Sequence, residues 1–118
     1  MGRHQRAVRL VGTGTAAFGL ASVALPGVLA RLCGLDPAEP GARMLAFSLG
    51  MRDLVSGAAI LTAPDRRRLR TALLMRGAFD AGDVVASATM LPEPWARRGF
   101  MVVAGTWSAL SLSLAATL

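Results

Sequence analysis

Residues 42–63 read ARMLAFSLGMRDLVSGAAILTA, and residues 69–91 read LRTALLMRGAFDAGDVVASATML. Each stretch is near the ~20 apolar residues that cross ~30 Å of hydrocarbon as a helix. Yet Arg52 and Asp53 stand at the middle of the first, and Arg76, Asp80 and Asp83 surround the middle of the second. A charge at that depth costs about 2.5–3.5 kcal/mol, so five cost on the order of 10 kcal/mol before any pairing. Ionisable groups kept at such a depth mark a functional site by default.

Two more apolar stretches flank this pair, at about 10–32 and 99–118. Between the stretches lie breakers: Gly34 and Pro37, Pro40-Gly41, Pro64-Asp65 and Pro92-Glu93-Pro94. The expected fold is all-α, a four-transmembrane-helix bundle forming one domain over residues 1–118. Pro26 is expected to kink the first span. The charged N-terminal segment MGRHQRAVR is followed by an apolar run too long for a secretory signal, so the run is read as a span.

Composition agrees. Of the 118 residues, 53% are hydrophobic even with the 13 glycines left out, against about 45–50% with glycine included in soluble domains. The net charge is +6, and every basic side chain is arginine. These arginines cluster between apolar runs, which is a membrane-flank pattern and argues against nucleic acid as a partner. Arg3, Arg6, Arg9, Arg66, Arg67, Arg68 and Arg70 outnumber Arg31, Arg43, Arg97 and Arg98 on the opposite side. Both termini are therefore expected in the cytoplasm, with the chain in a bacterial cytoplasmic membrane. Trp95 falls at an expected membrane interface.

Cysteine and histidine usage removes several chemistries. The one cysteine, Cys33, forms no internal disulfide, and the one histidine, His4, lies in the charged tail. A Ser-His-Asp triad, a Cys-His pair and a His- or Cys-held metal are excluded. Asp80-Ala81-Gly82-Asp83 has a spacing used for magnesium, but adjacent arginines compete with a cation. No metal and no cofactor are expected.

On a helix, residues three and four apart share a face. Arg76 reaches Asp80, and Asp83 lies one turn on. Asp53 lies on a stripe with Gly50 and Gly57, and these glycines are expected to leave room beside its carboxyl. The short loop makes the two stretches antiparallel neighbours. All five charges then meet at one depth, with a formal sum of −1. In a low-dielectric site, a proton on one carboxyl would balance that charge. A neutral acid beside an ionised one supports general acid–base catalysis. Asp53, Asp80 and Asp83 are the candidate acids and bases, with Arg52 and Arg76 stabilising a developing oxyanion. Trp107, Phe47, Phe79, Gly50 and Gly57 are the candidate substrate contacts. Trp107 is placed to meet a cationic intermediate with its ring face.

Gly50-Met51-Arg52-Asp53 and Arg76-x-x-x-Asp80-x-x-Asp83 resemble the marks of an uncharacterised family of small four-helix membrane proteins from actinobacteria and fungi. The resemblance covers nearly the whole chain. It loosely implies the chemistry of membrane proteins in natural-product pathways that open epoxides or cyclise oxidised polyene and terpenoid chains. Soluble limonene-type epoxide hydrolases use an Asp-Arg-Asp set on a different fold, an analogy of chemistry alone.

The expected function is thus a cofactor-free, membrane-embedded acid–base enzyme, an epoxide hydrolase, cyclase or isomerase. Its partners would be the bilayer and a lipophilic substrate. Two competing readings remain: a small proton-coupled transporter, and a structural subunit held by a buried ion-pair network. Four short helices enclose little volume, which leaves a homodimer open.

Overall fold

The computed structural model describes residues 2–118. Among them are five helices and no strand: α1 (Arg3–Ala24), α2 (Pro26–Leu32), α3 (Pro40–Thr62), α4 (Arg66–Met90) and α5 (Pro94–Ala116). Their starts are written in the sequence. Proline opens α2, α3 and α5, where its missing N–H costs nothing. The Asp65 carboxylate caps α4 by accepting from the Arg68 N–H at 2.8 Å.

The first expected span is divided rather than kinked. Leu25 leaves helical geometry (φ −132°, ψ 63°), and Pro26 starts a new seven-residue helix. Proline cannot donate the next helical hydrogen bond, and its ring disfavours helical geometry at the residue before it. The Gly34 N–H bonds the Arg31 carbonyl, and the Leu35 N–H bonds the Ala30 carbonyl. Gly34 adopts φ 71° to make this paired cap, a conformation that favours glycine.

The four long helices run up and down, and α2 extends α1 over one end. Helix α1 packs closely on α3, and α4 on α5, while the α3–α4 and α1–α5 approaches are sparser. Small residues explain the first contact. A Cβ on Gly19 would meet the α3 backbone at Gly50, Asp53 and Leu54, and one on Gly57 would meet the α1 backbone at Gly12 and Ala16. Glycine lets backbones approach this closely. On the other pair, Gly77 lies against Leu112, and Ser108 Oγ donates to the Gly77 carbonyl at 2.9 Å.

Two apolar clusters sit at opposite ends. One holds Val11, Ile60, Leu73 and Leu114. The other holds Leu29, Cys33 and Ala46. Helix α3 passes from Ala46 through Asp53 to Ile60, so a polar layer lies between the two clusters. Both termini share an end, where Thr117 Oγ1 lies 3.0 Å from His4 Nδ1. A cleft at that end is lined by Arg9, Arg66 and Leu118, which places the α3–α4 turn there too.

Among the described residues, three helices are long and apolar enough to cross a membrane: α1, α3 and α5. The expected count was four. Helix α4 falls short because arginines fill its first turns and Arg76, Asp80 and Asp83 follow. Large apolar side chains cover much of the outside, among them Leu20, Val55, Leu74, Val85 and Val102. The long axis of 43 Å matches a bilayer with its headgroup regions.

Gly19→Ala is expected to destabilise the fold by about 1–3 kcal/mol, because the added methyl has only α3 backbone to displace. Gly82→Ala has open space around the new Cβ and should be neutral or stabilising by up to ~1 kcal/mol. Unfolding with SDS in mixed micelles would compare the two.

Candidate functional site

Helix α4 carries Arg76 and Asp80 one turn apart on its buried face, and α3 directs Asp53 at them. These three residues are 5%, 1% and 4% exposed. The Arg76 guanidinium grips Asp80 with two donors, Nε to Oδ2 at 2.8 Å and Nη2 to Oδ1 at 2.5 Å. Its Nη1 donates to Asp53 Oδ1 at 2.6 Å. A planar fork suits this arrangement, and a lysine would not reproduce it.

Arg52 stands about 100° further round α3 from Asp53. It takes Asp83 in a second two-donor grip, at 3.0 Å and 2.5 Å, and reaches Asp53 Oδ1 at 3.5 Å. The charges therefore alternate as Asp80–Arg76–Asp53–Arg52–Asp83. Both Asp80 oxygens and both Asp83 oxygens receive arginine donors. Asp53 Oδ1 takes both arginines, and these contacts leave Asp53 Oδ2 out.

A cavity of about 230 Å³ lies beside the network, between all four long helices. Asp53, Arg76, Asp80 and Asp83 form its charged side. Helix α1 contributes Thr15 and Phe18, and α5 contributes Phe100 and Trp107. An apolar enclosure strengthens electrostatic interactions inside it. The arrangement can hold a compact lipophilic group against a set of carboxylates.

The structure thus brings Asp53, Arg76, Asp80, Asp83 and Trp107 to one cavity. It sends the other candidates elsewhere. Arg52 belongs to the network but lines an outer groove between α3 and α4. Phe79 lies in that groove, its ring centroid 5.1 Å from the Arg52 guanidinium carbon, in cation–π geometry. Phe47 is 44% exposed and faces outward. Gly50 and Gly57 leave no room beside Asp53, since α1 packs into the space that their missing side chains vacate. The structure places Phe79, Phe47, Gly50 and Gly57 outside that cavity, in helix packing or on the outer surface.

The aromatic wall that replaces them was partly readable. Phe100, Val103, Ala104 and Trp107 form one helical stripe on α5, and Thr15 and Phe18 lie three apart on α1. Following that stripe outward from Trp107 would have found Phe100. Nothing in the sequence singled out Thr15, since threonine in an apolar helix usually bonds its own backbone. Thr62, Thr71, Thr89 and Thr106 do so. Thr15 Oγ1 is buried and has no partner among the described residues.

Among the described residues, no three His, Cys, Asp or Glu side chains converge as a metal site. Cys33, just beyond α2, is buried, and burial first and Asp83 second push its thiol up to about 11. A thiol held protonated at neutral pH is a poor nucleophile. Compared with protein-family models, curated proteins and solved structures, the chain finds no match in any of the three.

Removing one partner of a buried ion pair costs about 3–5 kcal/mol. Asp80→Asn should show a loss of that order in micellar unfolding. Asp83→Asn should cost less, because Arg52 keeps a contact to Asp53 at 3.5 Å and the face of the Phe79 ring.

Proposed function

We propose that this chain is a membrane-embedded acid–base enzyme that opens an epoxide on a lipophilic substrate. The nucleophile would be water or a hydroxyl of the substrate itself, as in natural-product hydrolysis and cyclisation. The observation that carries this reading is the Asp53–Arg76–Asp80 set on the wall of an otherwise apolar cavity. One arginine there touches two buried carboxyl groups that face the same space.

The roles follow from hydrogen-bond occupancy. Asp53 Oδ2, outside the arginine contacts, is the position from which a proton passes to the epoxide oxygen. Asp80, gripped by two donors, serves as the carboxylate that takes the nucleophile's proton. The nucleophile's O–H bond breaks as its oxygen bonds the ring carbon. The ring C–O bond breaks toward oxygen, which receives the Asp53 proton. One proton is given and one taken, so no metal or redox partner is required. Arg76 stays cationic and stabilises both carboxyl groups as charge moves. Asp83 and Arg52 hold the outer end of the network.

In this reading α4 is the fourth membrane crossing, its charges covered by α3 and α5. The arginine-rich end that gathers both termini and the α3–α4 turn lies in the cytoplasm. A lipophilic substrate then reaches the site from the bilayer.

The test is turnover of a panel of lipophilic epoxides by purified protein in nanodiscs, with oxygen-labelled water to separate hydrolysis from cyclisation. Wild type should form product. Asp53→Asn and Asp80→Asn, checked for retained fold, should lose about 10²–10⁴-fold in rate. No turnover of any epoxide, together with lower stability of both variants, would sink the catalytic reading and leave a structural ion network.

A further inference from the structure

A second cavity adjoins the charged one. A neighbouring space of about 240 Å³ is lined by Leu32, Trp95, Ala96 and Gly99, and it shares Phe18, Phe100 and Val103 with the first. The second space has no charged lining residue. The two run along the sparse α1–α5 seam toward α2 and the start of α5. Trp107 belongs to the charged end and Trp95 to the apolar end. At the helical rise of ~1.5 Å per residue, they stand about 18 Å apart along α5.

The charged end also holds an unmet need. Thr15 is 3% exposed and lines the cavity, and its buried hydroxyl has no partner among the described residues. A buried hydroxyl left unpaired is costly. Asp53 lines the same cavity, and its Oδ2 lies outside the arginine contacts. An acyl chain of the bilayer would fill the apolar end and leave the Thr15 hydroxyl unsatisfied. A water molecule would satisfy the polar end and leave the apolar end empty.

We propose that the seam binds one elongated molecule, an oxygen-bearing head at Thr15 and Asp53 and a linear hydrocarbon tail along Phe18, Phe100 and Gly99 to Trp95. This deepens the enzyme reading by naming its substrate class, and it rests on that reading only for the claim that the bound molecule reacts. Thr15 is a positioning residue for the head. Gly99 sets the length of tail admitted.

Unreactive probes separate binding from catalysis. With Trp95→Phe, Trp107 is the remaining indole, and its emission reports occupancy of the charged end. The protein in nanodiscs is titrated with hexanol, hexadecanol and hexadecane. Hexadecanol should saturate the signal at about tenfold lower concentration than either of the others, each of which lacks one half of the interaction. Thr15→Val keeps the side-chain shape and should weaken hexadecanol to the level of hexadecane. Gly99→Leu, checked for retained fold, adds bulk at the apolar end, where a Cβ meets nothing within 4 Å. It should abolish the advantage of hexadecanol over hexanol. Affinity independent of chain length, or unchanged by Thr15→Val and Gly99→Leu alike, would overturn the proposal. The expected binding pattern without turnover of any epoxide would uphold it and remove the catalytic reading alone.

Discussion

The guanidinium of Arg76 donates through Nε, Nη1 and Nη2 to two buried carboxylates on two helices. It sits between two apolar clusters and is itself 5% exposed. Breaking one contact leaves an ion without compensation in a low-dielectric layer. That penalty, more than any net gain from the pairs, fixes the register of α3 against α4. A slide of one residue along either helix would move a carboxyl about 1.5 Å and turn it by ~100°.

The packing of the other helices follows from this constraint. Arginine and aspartate side chains need space, so α3 and α4 cannot close on each other as tightly as glycine-bearing helices do. The compensation lies on the adjacent edges. Gly12, Gly19, Gly50 and Gly57 draw α1 onto α3, and Gly77 admits Leu112 of α5 against α4. Two tight edges and one edge spaced by ions leave the fourth edge, α1 against α5, loosely filled. The cavity opens there because glycine seams and an ion layer separate the backbones by different amounts around one ring of helices.

Much of this was legible in the sequence. Four helical stretches, their proline starts and the meeting of Arg52, Asp53, Arg76, Asp80 and Asp83 all followed from spacing and hydropathy. The failures share a cause. Hydropathy does not register that α1 and α2 are separate helices, because Leu25 and Pro26 are as apolar as their neighbours. The charges of α4 leave three helices, not four, long and apolar enough among the described residues to cross a membrane. Spacing shows that Gly50 and Gly57 lie on the Asp53 face, but not whether a glycine faces a void or a backbone. Here α1 fills that place. Phe79 and Phe47 were chosen by depth along the helix, and depth says nothing of azimuth. Arg52 lies at the right depth yet on the outer flank, with Phe79 beneath it.

The two ends of the network differ in what they can do. Arg52 and Asp83 keep partial exposure, satisfy each other in a two-donor grip, and meet Asp53 only at 3.5 Å. Their pairing resembles a clasp on the bundle's flank, able to loosen without exposing the core. At the inner end, Arg76 and Asp80 are fully enclosed, and Asp53 joins the two halves through one oxygen while the other stays outside the arginine contacts. Two aspartates and two arginines form closed pairs. The fifth charge, Asp53, bridges both arginines through Oδ1 and supplies the α3 partner of Arg76, and it lines the same cavity as Thr15 and the aromatic wall.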